Sequence, residues 1–208
     1  QPVNYPNVRP AKSVWRGTNA IDSWSWQNCE GNKAIVEVFT DAHSVKLRLN
    51  DKESKIKKVK DFKVTFKTRY SPGTLTAIAY NEKGEEISKS SLVSATGKVK
   101  INVKPEYTEE TAEGINYLDI SLIGENEIVE SNNDFQLKVT VENGELLGFG
   151  SANPRTEEEY HTGVFTTYYG RAQAIIRRKT AGTVMIRVEG EGVEPVSIAI
   201  PFKGEDKQ

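Results

Sequence analysis

Glu157, Glu158 and Glu159 stand just before His161, one of only two histidines, and shortly after a glycine-rich turn, Gly148-Phe149-Gly150-Ser151. Carboxylates beside an imidazole could move protons or ligate a metal, a glycine turn could cradle a phosphate, and Ser151 could be a nucleophile. Each of these chemistries needs partners at set positions. Adjacent residues of an extended chain point in alternating directions, so the three glutamates do not converge on one ion. Zinc wants several His or Cys ligands at defined spacing, whereas His43, His161 and Cys29 lie far apart. Calcium held by loop carboxylates and carbonyls stays open as an alternative, without a spaced Asp/Asn motif to support it. A phosphate cradle needs a helix after the glycines, and Gly150 is followed by Asn153-Pro154 and a polar loop. Ser151 has neither a Gly-x-Ser-x-Gly elbow nor a base nearby in sequence. The pattern predicts a solvated charge run on a long loop between Gly150 and Gly163, with no catalytic residue, no metal and no cofactor.

Two other groups invite a test. "DSWSWQNCEG" puts Trp24 and Trp26 on one side if the segment is extended, with Trp15 upstream. Exposed indoles bind sugar rings by CH–π and apolar contact, so Trp15, Trp24 and Trp26 are candidate carbohydrate-binding residues. The competing reading is that they pin the incoming chain onto the fold, as tryptophan is usually well buried. The basic stretch from Lys46 to Arg69 places Lys46, Arg48, Lys63 and Lys67 at the polar positions of alternating runs. That is the pattern of a solvated sheet face and a lysine-guarded edge, and without a row of stacking aromatics it does not read as a nucleic-acid surface.

The elements that carry these residues have an apolar period of two. Val45, Leu47, Leu49 alternate with polar residues, as do Phe62, Val64, Phe66; Val99, Ile101, Val103; Leu118, Ile120, Leu122; Phe135, Leu137, Val139, Val141; and Val184, Ile186, Val188. Such runs bury one face and solvate the other, the signature of antiparallel sheets. Turn residues separate them: Ser71-Pro72-Gly73, Glu82-Lys83-Gly84, Asn143-Gly144 and Ala181-Gly182. With 208 residues and a weakly patterned stretch over Ser90–Lys98, the organisation expected is all-β: two consecutive immunoglobulin-like antiparallel β-sandwiches, over 23–95 and 96–208. Residues 1–22 show no periodicity and read as an irregular segment from an upstream domain. The composition, 37% hydrophobic and 27% charged, is that of a soluble chain, and no apolar run is long enough to insert in a membrane. A net charge of -1 offers no long-range field to gather nucleic acid. One cysteine, Cys29, allows no internal disulfide.

From Asp22 onwards the residues resemble a known family. Trp24-x-Trp26, the Val36-x-Val38-Phe39 strand, Val45-x-Leu47-x-Leu49-Asn50, a basic linker, Phe62, and Tyr70-x-Pro72-Gly73-x-Leu75-x-Ala77 with Tyr80 follow the order of the Ig-like domain after the catalytic barrel in bacterial family 2 glycoside hydrolases, chiefly β-galactosidases. "AEGINYLDISLIGENEIVESNNDFQLKVTVENGELLGFGSANP" and then "YYGRAQAIIRRKTAGTVMIRVEG" are similar to the fifth domain of the same enzymes. The resemblance implies non-catalytic accessory domains that support the enzyme and frame its active site, with the upstream barrel of the same polypeptide as partner. It also implies a β-galactoside or related glycan as the enzyme's substrate, assembly as a homo-oligomer through the full enzyme, and a bacterial periplasmic or extracellular setting. Retaining glycosidases need two carboxylates flanking the scissile bond; in this family both lie in the barrel, so no catalytic residue is carried over. Within that resemblance Glu157 and His161 become candidates for contact with a neighbouring domain. The alternative is a stand-alone carbohydrate-binding or surface-adhesion module. Where the family has Asn-Gly the chain has Asn50-Asp51, which predicts a looser or longer turn.

Overall fold

The computed structural model describes residues 20–107, 114–179 and 182–202, and the chain divides into two compact units between Ala95 and Thr96. The first holds β1 (Lys33–Phe39), β2 (Ser44–Leu49), β3 (Lys52–Glu53), β4 (Lys57–Lys58), β5 (Lys63–Arg69), β6 (Thr74–Tyr80) and β7 (Glu86–Val93). The second holds β8 (Lys100–Pro105), β9 (Ile115–Ile123), β10 (Gln136–Glu142), β11 (Gly144–Gly150), β12 (Val164–Thr166), β13 (Arg171–Arg178), β14 (Gly182–Gly190) and β15 (Val193–Phe202). Among the described residues there is no helix, and every strand pair is antiparallel. The all-β class read from the period-two pattern is the fold observed.

In the first unit β1 pairs with β5, facing a sheet of order β3-β2-β6-β7 in which β4 also pairs with β2. Val64 and Phe66 come from the first sheet and Val45, Leu47 and Leu75 from the second, all buried. In the second unit the sheets run β12-β10-β14-β15 and β11-β13-β9-β8. Their inward residues form one apolar core: Ile101, Leu118, Ile120 and Leu122 meet Leu137, Val139, Val184, Ile186 and Val188. These are the alternating positions of the sequence, each buried apolar side chain contributing about 1.5–3 kcal/mol.

Two local expectations change. The turn at Asn50-Asp51 is not longer: Leu49 pairs with Lys52, so the loop has two residues. Only Asn50 of the pair takes a positive φ, 52°. Its side chain is anchored to the neighbouring turn, Oδ1 accepting from Thr74 N at 2.8 Å and Nδ2 donating to Pro72 O at 3.0 Å. Those two bonds hold the turn where glycine is lacking. Ser90–Val93, weakly patterned in sequence, is the end of β7 and pairs with β6. It is an edge strand exposed along most of its length, so its side chains carry little apolar signal.

Candidate functional site

The acidic loop lies at one side of the second unit, between the edge strands β11 and β12. Its path is set by backbone bonds to strands: Phe149 N donates to Tyr160 O at 2.8 Å, and Val139 N to Gly163 O at 2.8 Å. The first bond occupies the free side of β11, which has only β13 as a partner. The Tyr160 ring stacks on Phe165, centroids 5.1 Å apart and planes at 14°, and Phe165 meets Phe149 edge-on in the core. A Cβ at Gly150 would sit 2.2 Å from the Tyr160 ring, so glycine is required there for the aromatic to lie flat on the strand. The glycine-rich turn thus serves a close packing contact.

The three glutamates separate by role. Glu158 is half-buried; its Oε1 accepts from Thr166 N at 2.9 Å, Thr166 Oγ1 at 2.8 Å and Gln136 Nε2 at 3.5 Å, and its Oε2 from Thr156 Oγ1 at 3.1 Å. Burial by itself would raise the pKa of this carboxyl, but the bonds from Thr166, Thr156 and Gln136 outweigh it and hold the group below the usual range. This carboxylate ties the loop to β12 and β10. Glu157 and Glu159 are exposed. His161 Nε2 lies 3.3 Å from Glu159 Oε2, the two side chains 79% and 67% exposed. The buried Ser151 hydroxyl has no hydrogen-bond partner among the described residues, so no base activates it. Among the described residues no three His, Cys, Asp or Glu side chains gather as metal ligands. In the sequence Glu158 is one member of a charge run. Its distinguishing signal is the hydroxyl residue at each end of its reach, Thr156 and Thr166.

The tryptophans lie in the first unit. Trp24 is 1% and Trp26 0% exposed. Trp24 packs edge-on against Tyr70 at 5.1 Å and donates Nε1–H to Ser71 O at 3.0 Å. Trp26 N donates to Tyr70 Oη at 3.0 Å, and its Nε1 to Ser23 O at 3.3 Å. Ser94 Oγ donates to Trp24 O, and Ala95 N donates to Ser25 Oγ at 2.8 Å. The segment is therefore bound to the last residues of its own unit, and neither ring turns a face to solvent. Trp15 lies outside the described residues. The basic stretch is largely a solvated edge: Lys46 pairs with Glu53 at 2.9 Å and Lys63 with Glu37 at 3.1 Å, while Lys57 Nζ caps Thr65 O at 2.9 Å and lies over Phe66. A recess of about 520 Å³ opens beside β5, with Leu47, Phe66 and Leu75 in its wall and Lys52, Lys67 and Arg69 around it.

The fold is thus two all-β units of antiparallel sheets, and one glutamate of the acidic loop, Glu158, ties that loop to the second. Residues 99–199 match the glycoside hydrolase family 2 C-terminal domain 5, and residues 31–88 match a domain of unknown function, DUF4982. Two crystal structures of glycosyl hydrolase family 2 members from Bacteroides cellulosilyticus are similar, each at 26% identity. One has a TM-score of 0.82 over 98% of this chain and 28% of that one; the other, from strain DSM 14838, has 0.77 over 86% and 26%. A β-glucuronidase from glycoside hydrolase family 2 shares the fold at 16% identity, with a TM-score of 0.73 over 89% of this chain and 20% of that one. No curated protein matches the sequence. Residues 99–199 thus belong to the glycoside hydrolase family 2 C-terminal domain 5 family, and the chain spans about a quarter of the length of the solved family 2 members it matches.

Proposed function

We propose that the chain supplies two non-catalytic immunoglobulin-like domains, 23–95 and 96–208, to a β-galactosidase-type glycoside hydrolase whose catalytic barrel lies upstream, with 1–22 a segment from an upstream domain. They support the barrel and frame the rim of its active site. The exposed loop tip, Glu157 and His161, meets a neighbouring domain in the full enzyme. The observation that carries this reading is the match of residues 99–199 to the glycoside hydrolase family 2 C-terminal domain 5; beside it, the one half-buried carboxylate of the Glu157–Glu159 cluster accepts from Thr166, Thr156 and Gln136 of its own unit. A retaining glycosidase needs one carboxylate free to attack and another to donate a proton.

The test is to express the polypeptide encoded by the whole gene beside this chain alone, and to assay both on nitrophenyl β-galactoside and β-glucuronide. The reading expects galactoside hydrolysis from the whole polypeptide and none from the chain. Hydrolysis by the chain alone, or an upstream region that encodes no barrel, would sink it. Turnover of the glucuronide in place of the galactoside would overturn the substrate assignment and leave the accessory role standing.

A further inference from the structure

One turn of the first unit is built from residues that do not favour it. Lys60 and Lys63 exchange backbone bonds, Lys60 N to Lys63 O at 3.2 Å and Lys63 N to Lys60 O at 3.0 Å. The two residues between them, Asp61 and Phe62, both take positive φ, 50° and 59°. Such a two-residue turn selects Asn-Gly, because its second position places a side chain in the left-handed region that bulky residues avoid. Here that position holds a phenylalanine that is 72% exposed. The ring gains little from burial to offset the backbone conformation it occupies. Beside it, Thr40 N donates to Phe62 O at 3.0 Å, which brings the turn against the end of β1. Phe39, opposite Lys63 in the strand register, is 62% exposed. Lys63 Nζ, held by Glu37, lies 5.9 Å from the Phe39 ring centroid. Two aromatic side chains thus project from one end of the β1–β5 pair, within a frame of Lys60, Asp61 and Lys63.

We propose that Phe39 and Phe62 are a docking knob, seated in an apolar hollow on the part of the parent glycoside hydrolase that lies beyond this chain. The inference rests on the accessory reading above. An aromatic centre with a polar rim is the anatomy of a protein–protein contact, and strained positions persist where they serve a function. The occupant follows from length: the chain spans 28% of a family 2 relative that it matches over 98% of its own residues, so most of a polypeptide of that kind is available to cover the rings.

Phe62→Gly separates the proposal from its rivals, since it relieves the turn while it removes the knob. In this chain alone the variant raises the melting midpoint of the first unit by about 2–4 °C, the direction expected when glycine enters a left-handed position. In the whole polypeptide it has the opposite sign: the midpoint falls, and limited proteolysis cuts around residue 95 at least tenfold faster. Phe39→Ser, which leaves the turn untouched, changes the chain alone little and destabilises the whole polypeptide in the same way. A rise of equal size in both contexts overturns the proposal, since the ring would then serve no contact. Self-association of the chain alone at 100 µM that Phe62→Gly abolishes also overturns it, because the occupant would be a second copy. Absence of an upstream barrel defeats the accessory reading and this inference together, whereas a barrel with unchanged stability defeats the docking knob alone.

Discussion

Three adjacent glutamates with one formula in the sequence have different physical states in the fold. Glu158 accepts four hydrogen bonds and is held below the usual carboxylate pKa, so it stabilises the folded chain only while ionised. A lowered folded pKa gives stability that is present above the unfolded value of about 4.3 and is lost as pH falls through the folded one. Glu158→Gln is therefore expected to cost about 1 kcal/mol at pH 7, discounted for partial exposure, with the gap to wild type closing below about pH 4. Urea titrations of both proteins at pH 7 and pH 3.5 check this; a gap independent of pH contradicts it. Glu157→Gln, on the exposed tip, leaves the chain's stability within about 0.5 kcal/mol. The tryptophans differ from a binding platform in the same measurable way. Trp26→Ala empties a site with no solvent exposure and should destabilise the first unit by about 3–5 kcal/mol, read as a lowered unfolding midpoint. Loss of glycan binding in such a variant would report unfolding, so indole truncation is not a clean probe of a sugar site.

At the scale of elements, the second unit ends its sheets on β11 and β12, and open edges invite pairing with other chains. The loop from Ser151 to Gly163 covers the free side of β11 through Phe149 N and Tyr160 O and lays the Tyr160 ring over Gly150. Gly150→Ala is expected to displace that ring and cost about 1–3 kcal/mol, as overpacking does. Hydrogen exchange reads the consequence: the Phe149 amide, protected by the loop, should exchange faster in Gly150→Ala, while amides of β14, in the middle of the opposite sheet, keep their protection relative to global unfolding. Unchanged protection at Phe149 would mean that the loop is held by Glu158 alone. The first unit guards its edge differently, with a strand broken into β3 and β4 and lysines along it, one of which caps a β5 carbonyl.

The whole molecule is electrically divided in a way its total conceals. Gln1–Ala95 carries 16 Lys/Arg against 10 Asp/Glu, and Thr96–Gln208 carries 12 against 19, so formal charges of +6 and -7 sum to the chain's -1. A near-neutral total argues against a field over the whole chain but not over each part. Each unit also has its own apolar core. Cutting between Ala95 and Thr96 should give two pieces that unfold cooperatively by themselves, the first retained on a cation exchanger at pH 7 and the second on an anion exchanger. Failure of either piece to show a cooperative thermal transition would contradict the independence of the two cores.

The strands were legible because one-sided burial writes itself into sequence with period two: Val45-x-Leu47 and Leu137-x-Val139 name their own inward faces before any contact is known. The same local logic marked the loop after Gly150 and found no metal or nucleophile pattern within it. Period says nothing about an exposed edge, which is why β7 was faint over Ser90–Val93. It also says nothing about which of three like charges meets two threonines, since Thr166 reaches Glu158 only when β12 folds back beside the loop. The indoles of Trp24 and Trp26 could equally have faced water or core until Tyr70, Ser71 and Ser94 were brought to them from 44 to 70 residues away. Sequence alone determined the class of fold and the place of most strands along the chain, because one-sided burial repeats between near neighbours. Tertiary structure decided which residues act, because hydrogen bonds, burial and the left-handed turn at Phe62 depend on neighbours in space.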